Sequence, residues 1–132
     1  MKKYYLLFFI IISYLSGCSD NVISSEDQFD ISIDGQTITI NTNQKFTLEL
    51  DLHADGGYQW DYSISDTAVV QIDSTSYRPQ SGNWNQVGGV TIETFYFCGI
   101  RTGQCVVNLI EHRVWEKDVP PINSVQFSVI VK

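Results

Sequence analysis

The side chains able to do acid–base or nucleophilic chemistry are few, and their spacing does not suit it. The chain has 132 residues, with two histidines, His53 and His112, and three cysteines, Cys18, Cys98 and Cys105. Neither histidine sits in a nucleophile motif, no Gly-x-Ser-x-Gly occurs, and no glycine-rich phosphate loop precedes a helical stretch. Two cysteines with two distant histidines match no zinc-ligand spacing, so no metal and no cofactor is expected. The carboxylates are scattered, as on a solvated acidic face. These residues predict a protein that is not an enzyme and has no catalytic residue.

The unusual chemistry lies instead in three turns suited to contact. The first is His53-Ala54-Asp55-Gly56-Gly57-Tyr58-Gln59-Trp60. Its paired glycines open backbone conformations closed to other residues and let a partner approach closely. The second runs from Arg78 to Gly89 and ends Asn83-Trp84-Asn85-Gln86-Val87-Gly88-Gly89. It is longer than a simple connection needs to be, a mark of loops with a task. The third, from His112 to Ile122, holds Arg113-Val114-Trp115 and Pro120-Pro121. Each has a plainer reading as a tight turn or a core-capping aromatic. Together, at one end of a scaffold, they make a binding surface.

The elements that must position these turns alternate with period 2, and no stretch shows a 3.6-residue period. Strands are predicted at Thr37–Ile40, Phe46–Leu52, Tyr58–Ile64, Val69–Ser74, Thr91–Cys98, Gln104–Val114 and Val125–Val131. Seven short strands separated by Gly, Asn, Asp and Pro clusters predict an all-β fold, a seven-stranded antiparallel immunoglobulin-like sandwich. In such a sandwich alternate connections fall at the same end, which puts all three turns together. Cys98 ends one strand and Cys105 begins the next, so the pair reads either as a disulfide across a hairpin or as two buried thiols.

Composition narrows the partners. The net charge is −7, from 8 basic and 15 acidic residues. A domain that acidic is a poor binder of nucleic acid and of anionic lipid head groups. At the N-terminus, Lys2-Lys3 precedes an apolar run from Tyr4 to Ile12, too short to span a bilayer and typical of a signal peptide. Leu15-Ser16-Gly17-Cys18 resembles a bacterial lipobox, which implies cleavage after residue 17 and lipid on Cys18. Cleavage there leaves 115 of the 132 residues, with 6 basic and 15 acidic side chains and a net charge of −9. Residues 18–30 read as a lipidated flexible tether and 31–132 as the folded domain. The expected location is the bacterial cell envelope, with Ser19 favouring the outer membrane.

Taken in order, the three turns resemble the chagasin-like inhibitors of papain-type cysteine peptidases. That family's pattern has Asn-Pro-Thr-Thr-Gly-Tyr closely followed by Trp, then a glycine-rich loop before an aromatic strand, then Arg-Pro-Trp near the C-terminal strand. Gly57-Tyr58-Gln59-Trp60 matches the end of the first element. Val87-Gly88-Gly89, with Phe95-Tyr96-Phe97 downstream, matches the second, and Arg113-Val114-Trp115 the third. The chain departs from the pattern at His53-Ala54-Asp55-Gly56 and at Val114. The resemblance implies an inhibitor that occludes a peptidase cleft, with Asp55, Gly56, Gly57, Tyr58, Val87, Gly88, Gly89, Arg113 and Trp115 as peptidase-binding residues. The implied partners are a papain-like cysteine peptidase and, through Cys18, a membrane, with the chain acting as a monomer. The alternative is an immunoglobulin-like surface lipoprotein that binds a glycan or envelope protein through Trp84 and Trp115.

Overall fold

The computed structural model describes residues 27–85 and 87–132. The signal peptide expected over 1–17 and the lipidation site expected at Cys18 lie outside the described residues. Eight strands follow in chain order: β1 (Asp27–Phe29), β2 (Thr37–Ile40), β3 (Lys45–Leu52), β4 (Gln59–Ile64), β5 (Val70–Pro79), β6 (Thr91–Gly99), β7 (Gly103–His112) and β8 (Asn123–Val131). They form two four-stranded sheets, ordered β1-β3-β6-β5 and β2-β8-β7-β4.

The inward positions follow from the alternation of side chains across each strand. Phe46, Leu48, Leu50 and Leu52 of β3, Phe95 and Phe97 of β6, Val107 and Leu109 of β7, and Val125, Phe127, Val129 and Val131 of β8 are all buried. Phe46 and Phe97 stack at 4.7 Å between ring centroids, and Phe127 meets both edge-on. Such aromatic pairs add to the burial of their area.

The all-β two-sheet sandwich is as expected, but the strand count and pairing are not. β1 is an eighth strand, and it runs parallel to β3, while β2 runs parallel to β8. The chain reaches one sheet at β1 and crosses to the other through a 3-10 turn, Ile31–Ile33, capped by the Asp30 side chain at 2.8 Å and pinned by buried Ile33. Three residues are too few to display alternation, so β1 was illegible, and its residues Asp27–Phe29 fall inside the segment expected as a tether. β5 also outruns its expected span of Val69–Ser74. A bulge between Ile72 and Ser74 shifts the register and breaks the period.

Of the two readings of the cysteine pair, the structure takes the thiols. Cys98 and Cys105 are free and buried. β6 and β7 belong to opposite sheets, so the segment between them is a crossover and not a hairpin. Cys98 lies opposite Lys45 and Gln71, and Cys105 opposite Val129. Burial pushes both thiols up from their ordinary value.

Candidate functional site

The first loop leaves β3 at Leu52 and makes a 3-10 turn, Ala54–Gly56, before β4. Gly57 closes that turn in the left-handed region, at φ 76° and ψ 19°, and its N–H donates to the Ala54 carbonyl at 2.8 Å. Glycine is demanded there twice over. The left-handed conformation disfavours a side chain, and a Cβ would run into the Trp115 indole, whose Cζ2 would lie 3.1 Å away. Gly56 is confined by contact alone, since a Cβ there would meet the Tyr58 ring at 2.9 Å.

The third loop clamps the first. The Arg113 Nε donates to the Gly56 carbonyl at 2.7 Å, and its guanidinium lies over the Tyr58 ring, 4.4 Å from the centroid. The Arg113 Nη1 also pairs with Glu116 at 3.0 Å, so the cation is balanced within its own loop. Arg113 therefore braces the glycine pair through a hydrogen bond and a cation–π contact at once. Trp115 then covers Gly57 while remaining 63% exposed.

The second loop is tied to the first by its glycines. Because β5 continues to Pro79, and the Gln80 N–H donates to Val90 O at 2.9 Å, the loop proper is shorter than the sequence suggested. Gly88 takes φ 73° and Gly89 φ 147°. The Gly89 N–H donates to the Asp55 carboxylate at 3.2 Å. Asp55, Gly56, Gly57, Tyr58, Gly88, Gly89, Arg113 and Trp115 are thus linked in one contact chain across three loops. Val87 is fully exposed and Trp84 is 73% exposed, both on the second loop. With Val114, Trp115 and Val119 of the third loop, they give this end of the molecule an unusual share of bare apolar surface.

Two buried carboxylates escaped the sequence reading. Glu111 on β7 is completely buried. It accepts from the His53 backbone N–H at 2.8 Å, contacts the His53 Nδ1 at 2.9 Å, and accepts from the Asn123 amide at 2.7 Å. No hydroxyl or thiol among the described residues hydrogen-bonds the His53 ring, so the pair lacks a nucleophile to activate. Across the core, Glu93 of β6 is also buried and accepts from the Tyr77 hydroxyl at 3.0 Å. Burial pushes the Glu93 carboxyl up, and the negative charges of Asp61 and Glu111 push it the same way. The signal was present: Glu93 and Glu111 occupy inward positions of β6 and β7, where alternation calls for apolar side chains.

A sandwich that offers three interlocked loops and exposed tryptophans at one end has the anatomy of a protein-binding surface. The sequence profile of the chagasin family of peptidase inhibitors, I42, matches residues 39–130, and the chain belongs to that family. It is a peptidase inhibitor and not an enzyme. The expectation of a chagasin-like inhibitor of papain-type cysteine peptidases is borne out. Amoebiasin-2 of Entamoeba histolytica is 22% identical over 133 residues, spanning the whole of both chains. The fold is shared with the cysteine protease inhibitor EhICP2 of Entamoeba histolytica, at TM-score 0.72 and 21% identity, over 80% of this chain and 95% of that one. It is shared also with amebosin, at TM-score 0.65 and 19% identity, over 81% and 98% of the two chains. The inhibitor PbICP-C, solved in complex with falcipain-2, matches at TM-score 0.53 and 13% identity, over 85% and 95%.

These relatives correct one expectation. Amoebiasin-2 and EhICP2 come from a eukaryote, whereas lipobox cleavage and lipid attachment to Cys18 are bacterial chemistry. The readings as a bacterial lipoprotein, membrane-anchored through Cys18 and held in the cell envelope or outer membrane, are overturned.

Proposed function

We propose that the domain from residue 31 onward inhibits papain-type cysteine peptidases by laying three preformed loops across the active-site cleft. Asp55, Gly56, Gly57 and Tyr58 form the wedge over the catalytic centre, where the absence of side chains at the glycines permits close approach. Val87, Gly88 and Gly89 lie along the substrate cleft and offer backbone groups to it. Trp115 is the aromatic anchor, with Arg113 holding it in place by bracing the loop beneath. The observation that carries this reading is the interlock: Trp115 over Gly57, Arg113 on Gly56, and Asp55 on Gly89. Loops already held against one another lose little freedom on binding, which favours tight association.

The test is a titration of papain with the full chain, followed by mass analysis of the inhibitor. The expected result is a sharp loss of activity at stoichiometric inhibitor, with the inhibitor uncut. Papain activity unchanged at micromolar inhibitor would refute the reading for this peptidase class.

A further inference from the structure

We propose that Glu111 is a positioning residue for the inhibitory surface, a buried carboxylate that fixes the base of the first loop to the end of the third. The proposal rests on the inhibitory reading of those loops. Three observations carry it. First, the carboxylate is wholly buried at an inward position where apolar residues otherwise stand. A well-packed apolar side chain there would serve stability at least as well, so the charge calls for another reason. Second, its side-chain hydrogen bonds go to the loop bases. The His53 N–H and Nδ1, at 2.8 and 2.9 Å, come from the first residue of the first loop, and the Asn123 amide, at 2.7 Å, from the first residue of β8, directly after the third. The Glu111 carbonyl adds a bond from the Ile122 N–H at 2.9 Å. Third, His53 stands at the N-cap of the turn Ala54–Gly56 yet makes no side-chain cap, because its ring folds back onto Glu111. The direction in which Asp55, Gly56 and Gly57 leave the sheet is therefore set from below by one carboxylate.

Glu111→Gln is the informative change, since an amide cannot accept from all of these donors together. In the full chain, the variant is expected to raise the papain inhibition constant at least about tenfold, the low end for a lost hydrogen bond to a charged group. Amide hydrogen exchange supplies a readout that loss of stability alone would not give. Exchange should quicken at His53 and at Gly56 to Tyr58, while the amides around Cys105 and Val129 at the other end of the sandwich keep their wild-type rates. His53→Ala should reproduce part of both effects, and the double variant should lose no more than Glu111→Gln alone, because both act through one link. If Glu111→Gln does not fold, His53→Ala is read by the same two measurements. Wild-type inhibition and loop exchange in the folded variant would overturn the proposal, as would exchange that rises evenly through the whole domain. If wild-type protein leaves papain untouched, the inhibitory reading fails by itself, and loop-confined exchange still decides the role of Glu111.

Discussion

Gly57→Ala puts the loop interlock to its sharpest test, because two separate costs meet at one atom. The residue holds φ 76° and ψ 19°, where a side chain costs about 1–2 kcal/mol. The new methyl would also press into the Trp115 indole, close enough that the ring must move. Trp115 is 63% exposed, so it moves by swinging outward and not by deforming the core. Stability should therefore fall by about the backbone strain alone, roughly 4–8 °C in melting temperature per kcal/mol. Inhibition should fall further, because a displaced aromatic anchor forfeits on the order of 2 kcal/mol, about thirtyfold in the inhibition constant. Thermal melts and papain inhibition of the same preparations separate the two. In a Trp115→Ala background, Gly57→Ala should still lower the melting temperature but should cost less inhibition than in the wild-type background, the remainder being the methyl's own intrusion where the wedge needs close approach. Equal losses of inhibition in both backgrounds would refute the argument, as would a Gly57→Ala protein indistinguishable from wild type.

Trp115→Ala alone should weaken papain inhibition at least about tenfold with the fold intact, the scale of a modest hot spot. An unchanged constant in the folded variant would remove Trp115 from the interface. Asp55→Ala should free the Gly89 N–H and speed its hydrogen exchange; unaltered exchange would mean the two loops are held by other contacts. Cys98 and Cys105 should resist iodoacetamide in the native protein and react on unfolding, as peptide mapping would show, because burial raises both thiols and hides them. Glu93→Gln should be more stable than wild type at pH 7, and the gap should close on acidification. The Glu93 carboxyl is raised in the folded state, so its contribution is fully present below its unfolded value and is lost as pH rises through the folded one. Melting curves from pH 4 to 7 check this, and a gap that widens toward acid would contradict it.

The alternation of β3, β6, β7 and β8 was legible because long strands with one buried face repeat their pattern four or five times. β1 has three residues and β5 carries a bulge, so in each the pattern is too short or interrupted. Placing the three turns at one end followed from counting connections, and the added β1 leaves that parity intact, since it precedes all of them. Between the two readings of the cysteines the sequence could not choose: a disulfide needs Cys98 and Cys105 to face each other across a hairpin, whereas the chain crosses from one sheet to the other between Gly99 and Gly103. The loop glycines and Trp115 were visible as residue types. What holds them was not, because Arg113 acts on Gly56 across 57 positions and Glu111 on His53 across 58. The inward placement of Glu93 and Glu111 was the available clue, and it appears only after the strands are assigned.

On the proposed reading, the two ends of the sandwich divide stability and function. At the end remote from the loops, Phe46 and Phe97 stack beneath Phe127, and the inward positions are wholly apolar. At the loop end, two of the inward positions carry buried carboxylates, and Glu93 raises the cost by being held near other negative charge. A buried carboxylate is tolerated only where hydrogen bonds compensate it, and Glu111 finds that compensation in the bases of the first and third loops. The charge and the loop geometry thus depend on each other. If a loop shifts, the carboxylate loses a donor; if the carboxylate is lost, the loop loses its footing. That mutual dependence can keep a glycine-rich wedge in one shape before any peptidase arrives, with the aromatic end supplying the stability that lets the loop end bear the cost.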